Sequence, residues 1–355
     1  MRRLFSRFGF QLNILAVIFL FLAYMAPFIP PDRFWPLAFP GLAYPYLVFI
    51  NVVFLGIWIL LGSKRLWLPL ISLLVGYADL ANTYQLIPKS ASKERGITIL
   101  SYNVHSFRVD QRAQRLNNPK ILDYLNSVGA DIICLQEGVP FKDGKLSPKG
   151  IVNALSGIHY FQVVSPGNCS DIVTYSKYPM INKGELKFSS PSILVLYSDI
   201  KVSNNLIIRV YNCHLQSYSI DPDDYFVIDS LSSGINNHQI KEVRKVSFKL
   251  KNGFIWRAQQ ARTLAEHIRR SPYPAVVCGD FNDTPVSYAY RTVRGNLKDA
   301  FVESGWGISN TYNGLLPSFR IDYILTDVKL SPTRYKRDKV LFSDHFPVHC
   351  QLHPE

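Results

Sequence analysis

Apolar positions are spread unevenly along the chain. From Phe8 to Pro30 almost every residue is apolar, with Gln11 and Asn13 as exceptions. A second apolar run extends from Pro36 to Gly62, interrupted by Asn51, and a third from Leu66 to Pro88 carries Asp79, Asn82 and Gln85. A membrane-spanning helix needs about 20 apolar residues, so the first two runs are long enough and the third is marginal. The polar stretch Lys-Ser-Ala-Ser-Lys-Glu-Arg-Gly at 89–96 reads as a linker. Beyond it the pattern shifts to short apolar runs bounded by polar clusters. Strands are predicted at Ile97–Val104, Asp131–Gln136, Ile172–Ser176, Ile193–Ile200, Leu206–Leu215, Ala275–Cys278, Arg320–Leu325 and Pro347–Leu352. Two amphipathic helices are predicted. Pro119–Val128 groups Ile121, Leu122 and Leu125 on one face, and Trp256–Arg270 groups Ala258, Ala261, Leu264, Ala265 and Ile268. The stretch Asp221–Asn252 is polar and irregular, with helical character near Gln239–Lys249. Such a mixture predicts an α/β domain of two packed sheets with helices outside, over residues 97–355, preceded by a membrane anchor over 1–88.

Composition sharpens the anchor. Hydrophobic residues make up 48% of the 355 positions and charged residues only 18%, the excess lying in the first 90. The first run follows Met1-Arg-Arg-Leu-Phe-Ser-Arg7, resembling a signal-peptide start, but it ends in Pro27, Pro30 and Pro31 with no clear small-residue cleavage site and is followed by a second run. An uncleaved anchor of two or three spans is therefore expected. Arg2, Arg3 and Arg7 precede the first run, and Lys64 and Arg65 follow the second. The positive-inside rule places both of these on the cytoplasmic side, so three spans predict an integral membrane protein with an exported domain, whereas a third run lying in the interface, the arrangement that Lys89, Lys93 and Arg95 after it favour, leaves the domain inside.

The net charge of +13 divides into +6 over residues 1–95 (nine Lys/Arg, three Asp/Glu) and +7 over the rest. A mildly basic domain suits an anionic substrate or an anionic membrane surface. Five cysteines, with no Cys-x-x-Cys pair, exclude a disulfide framework and a Cys/His zinc site.

Candidate chemistry lies in six polar clusters, each in or next to an apolar strand run. They are Ser101-Tyr-Asn-Val104, Ile132–Glu137, Val210–Gln216, Gly279-Asp-Phe-Asn282, Phe319–Leu325 and Phe342–Val348. Side chains alternate along a strand, so Asp280 and Asn282 are expected on one face, about 6–7 Å apart. A carboxylate and a carboxamide so placed can position a water and a phosphate oxygen beside a hard cation. Glu137, directly after an apolar run, fits a Mg²⁺ ligand. Asn103 offers a carboxamide to a neighbour or a metal. His214 and His345 can donate to a phosphate, Asp322 is expected buried in mid-strand, and Asp344 supplies a further carboxylate beside His345.

Taken in order, Ser101-Tyr-Asn103, Leu135-Gln-Glu137, Asn212-Cys-His214, Gly279–Asn282, Arg320-Ile-Asp-Tyr-Ile324 and Ser343-Asp-His345 resemble the motifs of the endonuclease/exonuclease/phosphatase superfamily, the DNase I-like fold, over residues 97–353. The resemblance implies a four-layer α/β sandwich with the site at the sheet ends and Mg²⁺- or Mn²⁺-dependent attack of water on a phosphoester. It implies that Glu137 holds the metal with Asn103 beside it, and that Asp280 orients or deprotonates the water. By the same resemblance Asn282 and His345 bond the phosphoryl oxygens, and His214 supports the phosphate or protonates the leaving group. Asp322 would orient an imidazole, and Asp344 would orient His345 or join the metal set.

His105 stands two residues after Asn103, where some nuclease members carry an acid, which weakens a second metal ligand there. Arg320 is a substrate-phosphate contact or a sheet-edge cap. The insertion Ser217–Lys251 has no counterpart in the pattern. The expected substrate is a lipid headgroup or small phosphodiester first and nucleic acid second, with the bilayer as partner and no protein partner implied. The competing reading, a non-catalytic binding module on the same fold, would be marked by a lost metal ligand, and none is lost.

Overall fold

The computed structural model describes residues 2–87, 94–107, 118–139, 144–164, 171–188, 194–218, 237–314 and 319–355. Most of the linker and the 219–236 part of the insertion lie outside these residues.

The N-terminal region is helical: α1 (Arg2–Met25), α2 (Pro31–Phe34), α3 (Ala38–Leu42), α4 (Tyr44–Leu60), α5 (Trp67–Val75) and α6 (Tyr77–Thr83). One helical stretch, Arg7–Met25, is long and apolar enough by itself to cross a membrane. The second and third runs each become a bent pair. Pro31–Leu42 meets Tyr44–Leu60 at 49°, and Lys64–Val75 meets Tyr77–Thr83 at 64°. Counting each bent pair as one span gives three. Two breakers account for the bends. Pro45 restricts the residue before it. Gly76 leaves room for the Tyr24 ring, which a Cβ would meet at 2.1 Å. Two of the polar exceptions in the apolar runs find partners within the helical region. Trp58 Nε1 donates to Asn13 Oδ1 (3.0 Å), and Asn51 Nδ2 donates to the carbonyls of Leu47 (2.8 Å) and Ala16 (3.3 Å). The outward faces carry Leu15, Ile18, Phe49, Ile59 and Leu60, all exposed.

The strands are β1 (Tyr84–Gln85), β2 (Ile97–Asn103), β3 (Ile132–Gln136), β4 (Tyr160–Val164), β5 (Ile172–Ser176), β6 (Met180–Leu186), β7 (Leu194–Lys201), β8 (Ile207–His214), β9 (Ala275–Asp280), β10 (Lys298–Asp299), β11 (Gly307–Ile308), β12 (Asp322–Thr326), β13 (Leu330–Arg337) and β14 (Val348–Pro354). The remaining helices are α7 (Asn118–Val128), α8 (Pro148–Ala154), α9 (Asn237–Arg269), α10 (Tyr288–Arg294) and α11 (Ala300–Ser304). Two six-stranded sheets form, ordered β10-β12-β9-β8-β7-β6 and β13-β14-β2-β3-β5-β4. Their inner faces share one core, in which Ile99, Ile132 and Cys134 pack with Val210, Val276, Cys278 and Ile324. One outer face packs Ile121, Leu125 and Ile151 of α7 and α8, and the other packs Ala261 and Leu264 of α9 and Tyr290 of α10. The order through the molecule is helix, sheet, sheet, helix.

Two expectations are corrected. The described part of the irregular stretch, 237–252, and the helix expected from Trp256 are one helix, α9, because Val246, Phe254, Ala258, Ala261 and Leu264 continue a single buried stripe with no proline to break it; the expectation over 221–236 lies outside the described residues. Asp322 opens its strand instead of standing in its middle.

Topology brings the polar clusters to one edge. In each sheet the central pair is parallel, β2 with β3 and β8 with β9, so all four strands end on the same side. β12 runs antiparallel to β9 with Asp322 opposite Asp280, and β14 runs antiparallel to β2 with Val348 opposite Ser101, so both begin there.

The N-terminal helical region touches the domain beside this edge. Val286 packs among Leu20, Ala23, Tyr44 and Val48. Thr284 Oγ1 lies 3.5 Å from the Gly41 carbonyl, and a Cβ on Gly41 would meet Val286 O at 2.7 Å. The Tyr46 and Phe319 rings meet edge-on with centroids 6.4 Å apart.

Candidate active site

Asp280 is the centre of the edge cluster. It ends β9 and is 1% exposed. Asn103, at the end of β2, donates from Nδ2 to Asp280 Oδ2 at 3.1 Å. The same oxygen lies 3.8 Å from His214 Nε2, at the end of β8, and 3.7 Å from His345 Nε2. The other carboxylate oxygen accepts the Asn282 backbone N–H at 2.8 Å. Burial pushes the Asp280 carboxyl up, and Asp322 adds to the rise against the opposing pull of His345 and His214.

His345 is held from its far side. Its Nδ1 is 2.9 Å from Asp322 Oδ2, and the Tyr312 ring lies edge-on to it at 5.3 Å. Burial disfavours its charged form, but Asp322 and Asp280 outweigh burial and raise its pKa well above the ordinary imidazole value. The ring faces Asp280 through Nε2, with Asp322 fixing its orientation.

Glu137 follows β3 and occupies the left-handed region at φ 52°. Among the described residues its carboxylate meets only distant partners: Asn103 Nδ2 at 3.5 Å, His105 Nδ1 at 3.8 Å and His214 Nε2 at 4.0 Å. Asp344 lies nearby, its Oδ1 3.4 Å from His105 Nδ1. Asn103, Glu137, Asp280 and Asp344 thus place carboxylate and amide groups around one part of the edge, with His105 between two of the acids. Hard divalent cations are held by such oxygen sets, and the loosely partnered Glu137 carboxylate leaves a ligand oxygen free. Asp280, Asp322 and His345 also have donor atoms mutually within 4.8 Å, a second grouping able to hold a metal. In that grouping His345 Nδ1 is already bonded to Asp322, whereas Asp322 Oδ1 is buried without a hydrogen-bond partner among the described residues.

Asn282 departs from the expected extended geometry. The strand stops at Asp280, and Asn282 turns to φ 51°, so its Nδ2 donates to the Leu215 carbonyl at 3.0 Å. One amide hydrogen is committed there. Arg320 is not brought to the cluster. Its guanidinium is buried, donating to Asp299 Oδ2 at 2.8 Å and to the Asn82 carbonyl at 2.7 Å. A substrate-phosphate contact is thereby corrected to an internal ion pair.

Comparison with known families places this geometry. The model of the endonuclease/exonuclease/phosphatase family matches residues 100–345. The chain belongs to that family. A second family model, described as a domain of unknown function (DUF8431), matches residues 2–83. A search of curated proteins finds no match. Solved structures similar in fold include the endonuclease/exonuclease/phosphatase from Bacteroides vulgatus (16% identity, 74% of this chain and 100% of that one, TM-score 0.54). The 3′ phosphatase NExo from Neisseria, bound to a product DNA hairpin, is 16% identical over 72% of this chain and 99% of that one, with a TM-score of 0.52. The human Nocturnin catalytic domain, holding a sulfate anion, is 14% identical over 75% of this chain and 97% of that one, with a TM-score of 0.50.

Within this family frame, several supporting residues escape a reading of the sequence. Thr311 Oγ1 accepts the backbone N–H groups of Ile321 and Asp322, both at 3.0 Å, and so sets the start of β12. Ser343 Oγ donates to the Asn103 carbonyl at 2.8 Å, tying the His345 segment to β2. Arg257, fully buried on α9, donates from Nε to Asp283 at 3.0 Å and from Nη1 to the Gln216 carbonyl at 2.7 Å, bracing the turn after Asn282. The one sequence signal was the buried stripe of α9, on which an arginine is out of place.

Proposed function

We propose that the chain is a membrane-anchored, divalent-metal-dependent phosphoesterase that hydrolyses a phosphodiester. The observation that carries this reading is the convergence on Asp280 of Asn103 at 3.1 Å, His345 at 3.7 Å and His214 at 3.8 Å, with Glu137 joined through Asn103. Asp280 orients the attacking water and takes its proton, since a buried carboxylate with a raised pKa is a better base than a solvated one. His345, steadied by Asp322, donates from Nε2 to a phosphoryl oxygen as charge builds. Asn282 offers its other amide hydrogen to the same group. His214, across Asp280, protonates the leaving oxygen. Glu137 and Asn103, with Asp344 beside them, are the residues that would hold Mg²⁺ or Mn²⁺. The bound cation supplies charge neutralisation on the phosphoryl oxygens.

A lipid headgroup or small phosphodiester is the favoured substrate, ahead of nucleic acid, because Val286 and Phe319, both near the catalytic edge, rest on the anchor. A screen of sphingomyelin, phosphoinositide, DNA, RNA and nucleotide substrates by the detergent-solubilised chain with Mg²⁺ tests this directly. EDTA is expected to abolish turnover, and Glu137→Gln to weaken Mg²⁺ binding by about tenfold or more in calorimetry. Activity that survives EDTA, or equal Mg²⁺ affinity in parent and variant, removes the metal assignment.

The same reading places the domain outside the cytoplasm. The end of α1, the start of α4 and the end of α6 lie on the domain side, through Ala23, Tyr44 and Asn82. At the opposite end Arg65 stacks on Phe10 and Trp58. Positive charge collects on the cytoplasmic side, which favours export of the domain. A C-terminal alkaline phosphatase fusion is expected to be active and a C-terminal green fluorescent protein fusion dark. The reverse pattern overturns this orientation.

A further inference from the structure

We propose that the junction between anchor and domain holds a zwitterionic phospholipid headgroup, at a site separate from the candidate active site. A cavity of about 460 Å³ opens there, lined among others by Phe28, Asp79, Asn82, Tyr288, Arg291 and Arg294. Its level in the bilayer follows from the helix ends. α1 stops at Met25, three residues before Phe28, and α6 stops at Thr83, one residue after Asn82. Helices that cross the hydrocarbon core end in the headgroup layer, where lipid phosphates and amines sit.

The cavity's charges are arranged for both groups. Arg294 is fixed by donating to Asn82 Oδ1 at 2.7 Å. The Arg291 guanidinium lies 3.9 Å from the Phe28 ring centroid, and among the described residues it makes no hydrogen bond. Stacking on a ring face leaves the N–H edge of a guanidinium open to an oxyanion, and two guanidinia in one cavity suit a phosphate. Asp79 is the one acid within the three apolar runs of the sequence. The Arg291 charge is near enough to act on it, but among the described residues no contact of ion-pair length joins the two, and an acid at the end of an apolar span is costly unless compensated. A headgroup carrying a phosphate and an ammonium satisfies both signs at once. An anionic headgroup such as that of phosphatidylglycerol carries the same phosphate charge but no ammonium, and leaves Asp79 without a cation from the lipid. Phe28, 59% exposed, offers apolar surface beside the cavity for the start of the acyl chains.

The test uses the full chain, delipidated in detergent, with phosphatidylethanolamine and phosphatidylglycerol of identical acyl chains, read by native mass spectrometry. Phosphatidylethanolamine is expected to be retained over phosphatidylglycerol. The double variant Arg291→Gln/Arg294→Gln is expected to lower retention at least tenfold while leaving hydrolysis of a soluble phosphodiester unchanged. Asp79→Asn is expected to erase the preference between the two lipids. Arg291→Gln alone, at an exposed position, is expected to lower retention without disturbing the fold should the double variant melt early. Equal retention by parent and Arg291→Gln, or a parent that prefers phosphatidylglycerol, overturns the site. Competition by glycerophosphoethanolamine supports the headgroup chemistry and assigns it a water-soluble source, whereas competition by inorganic phosphate alone overturns the role of Asp79.

Discussion

Replacing Asp280 by Asn is expected to slow phosphodiester hydrolysis by on the order of 10²–10⁴-fold, with little change in KM. The substitution keeps the shape of a side chain that is 1% exposed and so leaves no cavity. It removes the proton acceptor, and it removes the negative charge that His214 and His345 face at 3.8 and 3.7 Å. A carboxamide there can still accept the Asn282 backbone N–H, now 2.8 Å from Oδ1, so the turn that follows is kept. The loss should therefore fall on turnover and not on substrate affinity. Asp322→Asn acts one group further away. It leaves the His345 ring in place but weakens the 2.9 Å contact that orients it, and turnover should again fall while KM holds. Steady-state kinetics at saturating Mg²⁺ on the detergent-solubilised protein, with thermal melting as a folding control, measure both. Turnover that survives Asp280→Asn in a folded protein would take Asp280 out of the chemistry and leave the convergence at this edge without a reaction.

How much of this could be read from the sequence depends on the range of the forces involved. Strand ends were legible because an apolar run that stops at a polar residue records burial directly, as Ala275–Cys278 does before Gly279-Asp280. The likeness of six clusters to family motifs then brought distant segments together before any coordinate was known. What stayed hidden was set by tertiary contact. Asn282 leaves the strand face because its amide finds the Leu215 carbonyl, a partner 67 residues away. Tyr312 covers His345 from a stretch with no strand pattern, so nothing in its neighbours marks it. The second and third apolar runs looked like plain spans because composition does not register a bend, and Gly76 shows its purpose only once Tyr24 occupies the space beside it. The stretch 237–252 reads as irregular because its charged face is long, while the stripe that makes α9 one helix is buried against the sheet at Ala261 and Leu264 and against Phe39 and Tyr218 at Phe254.

Arg320 was open to two meanings, and they predict opposite phenotypes. An arginine that grips a substrate phosphate can be removed with a loss of affinity and an intact fold. The structure gives Arg320 a different set of partners. Asp299 Oδ2 accepts from Arg320 at 2.8 Å and from the Tyr290 hydroxyl at 2.6 Å, while Asp299 Oδ1 caps α11 through the Phe301 N–H at 2.9 Å. The guanidinium also packs beside the rings of Tyr323 (4.7 Å) and Phe301 (4.8 Å) and reaches the Asn82 carbonyl of the N-terminal helical region. Arg320→Ala therefore strands a buried carboxylate, frees a carbonyl at the end of α6 and opens a hole between aromatic rings. Breaking a buried pair by removing one partner costs about 3–5 kcal/mol. For a domain of this size that corresponds to a melting temperature lower by about 6–20 °C, read by thermal unfolding in detergent. Arg320→Ala/Asp299→Asn should recover part of the loss, because the second change removes the stranded charge. A variant that melts with the parent yet shows a raised KM for the phosphodiester would return Arg320 to the substrate and contradict the buried ion pair.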